Sequence, residues 1–370
     1  MASTERGVKD LRVAIVHDWL VGGGAERVVY ELHKMFPEAP IYTSYASPEW
    51  QERLDGKVVT GFLQRWPFSK LRKIMILPRI WWFTHLDLSD YDLVISSSGN
   101  GEAFSVRTAP GTTHICYCHS PTHYYWRHYD AYLRQPGFGF LDPLARIALR
   151  IFVAPLRRWD RKASKGPDFF IANSSHIQKD IKQYYGRESV VIFPPVDIAR
   201  FKGKTNKRHG FVTVGRQVPN KRTDIIVSAC TKLDLPLIVV GSGPEHERLK
   251  KLAGPSVAFV PDATDEEVTR YVQNAEAFIF ASHDDFGITP IEAMAAGTPV
   301  VAFKAGGALD YIEEGKTGLF FSEQTVASLS KTLHEFDAAQ FDVAYIREQA
   351  TAFSPDIFRE KLRALIDKVA

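Results

Sequence analysis

What constrains this chain most is a rhythm: short apolar runs, each ending in a turn rich in glycine, proline or charge, alternate with longer amphipathic stretches. Runs this short and this apolar read as strands buried on both faces. The amphipathic stretches between them read as crossover helices, and the two together give a doubly wound parallel sheet. In the first half the expected strands are Val13–His17, Ile41–Thr43, Leu93–Ser96, His114–Cys118, Phe169–Asn173 and Val190–Phe193, with helices at Ala25–Met35, Asp142–Lys165 and Ser175–Tyr185. Phe193-Pro194-Pro195-Val196-Asp197 then breaks regular structure, and the polar, basic stretch from Lys202 to His209 reads as a linker. The rhythm restarts with Phe211–Val214, Leu237–Val240, Val257–Phe259, Ala277–Ala281 and Val300–Phe303. A chain of 370 residues exceeds what one core serves. We therefore expect two domains, residues 1–198 and 199–354, with an amphipathic helix over 355–370 that can pack back on the first. Two open sheets facing each other leave a cleft at the carboxyl ends of their strands, where ligands of such sheets bind.

Bulk properties exclude several classes. A net charge of +3 is too small to argue for nucleic acid. Three cysteines, Cys116, Cys118 and Cys230, with two alternating in an apolar run, fit reduced core thiols better than a disulfide framework or a zinc set. The N-terminus stays polar until Leu11 and carries no recognisable secretion signal, and no uninterrupted apolar run reaches membrane-spanning length. The expectation is a cytoplasmic protein with no metal and no cofactor.

The stretch from Ser282 to Val301 carries the densest chemistry. A strand runs into Asp284 and Asp285, then Phe286 and Gly287, then a helix expected to open at Thr289-Pro290 and close near Gly297. Thr289 and Glu292 have capping-box spacing, and proline suits the first helical position. Free amides at such a helix start favour an anion, most commonly phosphate. Asp284 and Glu292 bracket that site and can hold sugar or ribose hydroxyls, which points to a nucleotide sugar. A plain cap at Glu292 and a solvated loop at Asp284 explain the same residues equally simply.

Other turns recur at strand ends. Gly22-Gly23-Gly24 opens a helix and lets a ligand approach the backbone, though it is neither a dinucleotide fingerprint nor a P-loop. Gly215-Arg216 and Lys221 straddle a Pro-Asn turn, so both cations can converge on one diphosphate. Gly241 ends another strand, and backbone around Ala263 in the turn Pro261–Asp265 can read the edge of a base. His119, after Cys118, is placed to donate to a sugar hydroxyl, or else serves as a satisfied structural histidine. The aromatic run Thr122–Tyr129 suits sugar stacking, an interface or an ordered loop alike. Arg65, Lys70, Arg72, Lys73 and Arg79 interleave with Trp66, Phe68, Ile74, Trp81 and Trp82. A second basic run holds Arg146, Arg150, Arg157, Arg158, Arg161, Lys162 and Lys165, opposed by Asp160 alone. Both fit docking on anionic lipid headgroups, and both also fit a packed face with a solvated outside.

Taken in order, these motifs resemble the retaining GT-B glycosyltransferases of family 4 over nearly the whole chain, nearest to bacterial mannosyltransferases of lipid-linked glycan synthesis. The resemblance rests on Gly22–Arg27, Ser96-Ser97-Ser98, Cys116–Pro121, Ala172–Ser175, Pro194–Asp197, Gly215-Arg216 with Lys221-Arg222, and Asp285–Val300. It implies two Rossmann-like domains facing across a cleft, with Arg216 and Lys221 on the donor diphosphate and Glu292 on the ribose. It further implies Asp284 at the transferred sugar, with amides of Phe286, Gly287 and Ile288 nearby, and His119 at the reaction centre. Gly23, Gly24, Gly215, Gly241, Ala263 and Thr289 complete the implied donor-binding set. The family uses glutamate where this chain has Asp284, so the shorter carboxylate must approach its sugar more closely or bind through water.

The leading expectation is metal-independent transfer of a hexose, mannose from GDP-mannose, with retention, to a glycan or a polyprenyl- or lipid-linked acceptor. The basic–aromatic stretches would then rest on the anionic inner face of the cell membrane. Rival expectations are a soluble disaccharide synthase or nucleotide-sugar epimerase using a UDP-sugar, and a nucleotide-sugar-binding protein without catalysis.

Overall fold

The computed structural model describes residues 11–71, 74–134, 136–137, 139–203 and 208–370. Arg72 and Lys73 of the first basic run, residues 204–207 of the expected linker and the polar stretch before Leu11 lie outside the described residues. The chain divides into two compact units, Met1–Pro194 with Phe358–Ala370, and Pro195–Ile357. The sequence reading puts the boundary at 198/199 and the return at 355.

The first unit is built on a seven-stranded sheet of β1 (Val13–His17), β2 (Ile41–Thr43), β3 (Val58–Thr60), β4 (Leu93–Ser98), β5 (Thr113–Cys118), β6 (Phe169–Ala172) and β7 (Val190–Val191). Its order is β3-β2-β1-β4-β5-β6-β7, with every pair parallel. Alternation along each strand sends successive side chains to opposite faces. Ile15, Ile41, Ile95, Ile115 and Ile171 pack on one side with Val28, Val29 and Leu32 of helix α1 (Ala25–Met35). Ala14, Val16 and Val94 pack on the other with Phe83 of helix α2 (Ile76–His85). A long helix α3 spans Asp142–Ala163.

The second unit carries a six-stranded parallel sheet of β8 (Phe211–Val214), β9 (Leu237–Val240), β10 (Val257–Val260), β11 (Ala277–Phe280), β12 (Val300–Phe303) and β13 (Gly318–Phe321). Its order is β10-β9-β8-β11-β12-β13. Helices α4 (Asp265–Asn274) and α5 (Ile288–Ala295) lie in this unit, and the terminal helix α6 (Pro355–Val369) returns the chain to the first. Phe358, Leu362 and Ile366 of α6, one turn apart, join the core against β1 and α1. Burial of three such side chains stabilises by roughly 1.5–3 kcal/mol each. Arg359 adds an ion pair with Glu31 of α1.

Several local expectations change. The stretch Ser175–Tyr185 is helical throughout as expected, but α only to Asp180 and π over Ile181–Tyr185, ending at Gly186, φ +68°. The strand expected over Val190–Phe193 stops at Val191, ahead of the two prolines. β3, α2 and β13 fall in stretches with no assigned element. β3 is a short edge strand, and α2 is apolar around most of its circumference, so neither shows a clear period.

In each sheet the strand order reverses once, between β1 and β4 and between β8 and β11. Connections leave such a pair in opposite directions and open a crevice beyond the carboxyl ends, the usual ligand position of an open α/β sheet.

Candidate functional site

The crevice of the second unit lies past β8 and β11. The turn after β8 is clamped by the turn after β9. Buried Gln217 donates from its backbone to Ser242 O (2.9 Å) and from Nε2 to Gly241 O (2.5 Å), while its Oε1 meets His246 Nδ1 at 2.8 Å. Gly241 has φ +106°, and a Cβ there would lie 2.4 Å from Gly215 O, so only glycine allows the two turns to touch. This clamp presents Arg216 outward. It is exposed, and among the described residues its guanidinium has no hydrogen-bond or ion-pair partner. Lys221 follows on a 3-10 turn, Pro219–Lys221, and with Arg216 and Ser282 lines a cavity of about 20 Å³ at the strand ends. That holds about one water molecule, so a larger ligand must lie over this edge rather than inside it.

Lys221 is ion-paired with Asp284, whose other oxygen accepts from Ser282 Oγ. The two residues to which the resemblance gives separate ligand groups therefore satisfy each other here. The loop carrying Asp284 is seated on Gly306-Gly307, where a Cβ would come within 2.2 Å of Asp284 O and 2.4 Å of Phe286 O respectively. Gly307 N donates to Asp284 O at 3.0 Å, and Tyr311 Oη to Phe286 O at 3.0 Å. The sequence reading passed over this glycine pair, although a Gly-Gly after a strand was a signal available to it.

Helix α5 begins at Ile288, not at Pro290, and its N-cap is Gly287, φ +87°, with no side-chain cap bond. The capping box expected of Thr289 and Glu292 does not form, because Thr289 is already inside the first turn and Pro290 is third rather than first. The amides of Ile288 and Thr289 are left without a cap side chain, which suits an anion. A Cβ on Gly287 would lie 2.8 Å from Tyr311 Oη, so the sharp entry demands glycine. Glu292 is buried on the same helix, and Gly297, φ +75°, ends it. A capping box does form elsewhere, between Thr264 and Glu267 at the start of α4. Ala263 precedes it in the turn beyond β10.

His119 sits at the corresponding edge of the first unit, after β5. Its Nε2 meets Ser97 Oγ at 2.8 Å, and its backbone carbonyl accepts from Asn173 Nδ2 at 2.9 Å. His17, at the end of β1, donates from Nδ1 to Ser97 O at 2.8 Å, and the two imidazole rings lie edge to face at 6.3 Å. Burial, and after it His17, push the His119 imidazole down to about 3, so it is neutral near pH 7 and suited to donating or accepting a hydrogen bond. The sequence reading missed Asp18. Its buried carboxylate accepts from Gly99 N (2.7 Å), Asn100 N (3.0 Å), Ala103 N (2.9 Å) and Ser98 Oγ, tying the β4 loop to the end of β1.

Gly23 and Gly24 are exposed in the β1–α1 turn. Its amides already have an anion: Glu26 Oε1 accepts from Val21 N (3.3 Å) and Gly22 N (3.0 Å).

The aromatic run Thr122–Tyr129 turns mostly inward. Trp126 stacks on Tyr184 and donates to Asp160 Oδ2 at 2.6 Å, while Tyr125 is buried. Much of the basic surface is used internally too. Arg79 makes a buried two-pronged ion pair with Glu102 (2.7 and 2.9 Å), and Arg157 and Arg161 lie over the Trp126 ring while bonding Tyr125 O and Tyr184 O. Burial pushes the carboxyls of Asp160 and Glu102 up to about 7. Trp66, Ile74, Leu77, Trp81, Leu144, Ile147 and Ile151 remain exposed. Among the described residues no cluster of three or more His, Cys, Asp or Glu could hold a metal, no helix is long and apolar enough to cross a membrane, and all three cysteines are buried and in no disulfide.

With this geometry in hand, similarity to known proteins falls on both units. Residues 22–200 match Glycosyltransferase Family 4, and residues 195–351 match Glycosyl transferases group 1. A D-inositol 3-phosphate glycosyltransferase of Streptomyces bingchenggensis is 26% identical over 243 residues, covering 53% of each chain. A GDP-mannose-dependent alpha-(1-6)-phosphatidylinositol monomannoside mannosyltransferase of Mycobacterium tuberculosis is 27% identical over 250 residues, 54% of this chain and 65% of that one. The chain thus spans about half the length of the first relative and under two thirds of the second. The crystal structure of Anabaena Alr3699/HepE in complex with UDP and glucose superposes with a TM-score of 0.68 at 18% identity, over 96% of this chain and 99% of that one. At that identity the likeness is one of fold.

Proposed function

Matched in both units, the chain belongs to the GT-B glycosyltransferases of group 1 and family 4, and on that premise we propose that it moves mannose from GDP-mannose, with retention, to a hydroxyl of a lipid-linked acceptor. The observation that carries this reading is the edge of the second unit: an exposed, unpaired Arg216 beside Lys221, with the uncapped start of α5 following the neighbouring strand. That edge suits a diphosphate. The name of the mycobacterial relative supports the donor and a lipid-borne acceptor.

As the bond between the anomeric carbon and the phosphate oxygen breaks, its electron pair leaves with the diphosphate. Arg216, Lys221 and the Ile288 and Thr289 amides stabilise the charge gathering there. Lys221 must exchange Asp284 for phosphate, which frees Asp284 for hydroxyls of the transferred sugar. The acceptor oxygen forms the new bond on the face the diphosphate leaves, and its proton passes to a donor phosphate oxygen. No protein nucleophile takes part. His119, neutral and held by Ser97, orients the sugar, and Glu292 takes the ribose hydroxyls. The reaction uses no bound metal or cofactor, and the exposed apolar residues of the first unit rest on an anionic membrane surface.

The test is a thermal-shift screen of GDP- and UDP-sugars with and without EDTA. A ligand at a hundredfold excess over Kd stabilises by about 2.7 kcal/mol. GDP-mannose should give the largest shift and EDTA should leave it unchanged; a shift from UDP-sugars alone, or one abolished by EDTA, overturns the reading.

A further inference from the structure

The first unit contains a cavity to which the chemistry above gives no role. It has a volume of about 490 Å³, within the range of small-molecule sites, and lies between α2 and α3. Trp19, Leu77, Tyr125, Leu149, Phe152 and Leu156 form much of its wall, so its lining is chiefly hydrocarbon and aromatic.

Its two ends differ. At the inner end Trp19 and Asn100 line it, and these flank Asp18 and Gly99, which are hydrogen-bonded to each other at 2.7 Å. A Cβ on Gly99 would lie 3.7 Å from His119 Cβ, so the cavity ends beside the His119 edge of the same sheet. At the outer end the lining residues Ile74, just before α2, and Leu77, on α2, are exposed, and Trp81 further along α2 and Leu144, Ile147 and Ile151 on α3 are exposed too. Apolar groups exposed together in this number are uncommon on a protein that meets only water.

The exposed charge along α3 is mainly positive. Arg150, Arg158 and Lys162 are exposed on α3, whereas Asp160 is fully buried and bonded to Trp126 and Tyr185. The remaining acid of α3, Asp142, lies at its first residue. An exposed aliphatic stripe continuing into cations matches an anionic bilayer surface, where the chains take the stripe and the headgroups take the cations.

We propose that this cavity holds the hydrocarbon chain of the lipid-linked acceptor, drawn from an anionic bilayer on which the exposed faces of α2 and α3 rest. The chain enters past Leu77, and the polar head and reacting hydroxyl are left at the sheet edge by His119. This inference rests on the transferase reading for the identity of the acceptor, but the cavity can be tested without turnover.

The probe is farnesyl phosphate, with isopentenyl phosphate as its short-chain counterpart, titrated into the full chain while tryptophan fluorescence is followed. Both probes carry the same head, so their difference reports the apolar chain. Farnesyl phosphate should bind roughly tenfold tighter or more, since each buried methylene contributes severalfold. Leu77→Asp places a charge at the mouth on an exposed residue that the fold does not need, and Ala148→Trp fills the space from α3. Each should remove most of that preference, with thermal stabilisation by the nucleotide sugar serving as the check that the variant is folded. Equal binding of the two probes, or a preference that survives Leu77→Asp, overturns the proposal, and donor binding in the same protein would leave the transferase reading standing. Chain binding in a protein that binds no nucleotide sugar would uphold the cavity and sink the transferase reading instead.

Discussion

Both sheets hold a carboxylate of the chain's own against an anion-binding feature, but the two carboxylates differ in permanence. In the first unit Glu26 is 4% exposed and takes the Val21 and Gly22 amides, as Asp18 takes those of Gly99, Asn100 and Ala103. In the second unit the Asp284 side chain is 18% exposed and faces a Lys221 side chain that is 27% exposed. Val21 and Gly22 are themselves exposed, but they bond a buried carboxylate, and hydrogen bonds to a charged group contribute about 1.5–3 kcal/mol. A lysine at a partly open edge can exchange its carboxylate for phosphate at little net cost, because such pairs contribute only about 0–1 kcal/mol. Glu26 is thus part of the fold, and under the proposed function Asp284 is a placeholder that a diphosphate replaces.

The largest expected effect tests the open edge itself. Arg216→Ala should lower turnover by about 10²–10³-fold, the usual loss on removing one group that stabilises transition-state charge. The melting temperature should not change, because the guanidinium has no partner among the described residues. Near-normal turnover would remove Arg216 from the site.

The comparison is tested most sharply by two alanines. Glu26→Ala should destabilise by about 1–3 kcal/mol in urea unfolding, whereas Asp284→Ala should cost less than about 1 kcal/mol. Asp284→Ala should also free Lys221 and tighten binding of GDP severalfold in calorimetry, while transfer falls. Equal destabilisation by the two substitutions, or weaker GDP binding in Asp284→Ala, would break the distinction between structure and placeholder.

The smallest effect is a pH dependence confined to the first unit. Burial raises the Asp160 carboxyl from 3.8 to about 7, despite hydrogen bonds from Trp126, Tyr185 and Thr122 that oppose the shift. A raised acid favours the fold in its protonated form. Its contribution is complete below about pH 4 and is lost as pH rises through about 7. Asp160→Asn should therefore flatten the fall in melting temperature between pH 5 and pH 8. His119, lowered to about 3, should add no limb to the pH–rate profile over that range.

How much was legible in the sequence follows from how local each signal is. β1, β2, β8, β9 and β12 and the helices α1 and α6 lie where the apolar period puts them, because a strand buried on both faces, or a helix with one apolar stripe, writes its environment into its own residues. The stretch that forms α2 reads equally as a docking surface or as a packed face, because its basic and aromatic residues alternate without period. Only the fold shows that Arg79 turns inward to Glu102. Thr289-Pro290 mimicked a helix start because capping-box spacing is a three-residue coincidence, while the real start depends on how Gly287 packs under Tyr311, a residue distant in sequence. Asp18 and the Gly306-Gly307 seat gain their meaning from loops brought together by the sheet order, which no single stretch records. The family was legible since its motifs fall at strand ends in order; the Lys221–Asp284 pairing was not.

The central claim is tested most directly by supplying isotopically labelled GDP-mannose with a farnesyl-phosphate-linked mannose acceptor and reading the product by mass spectrometry and anomeric NMR. The account predicts one added hexose in the same α configuration as the donor, formed in the presence of EDTA. Transfer from a UDP-sugar alone, an inverted anomer, or bound GDP-mannose that is neither transferred nor hydrolysed would contradict it.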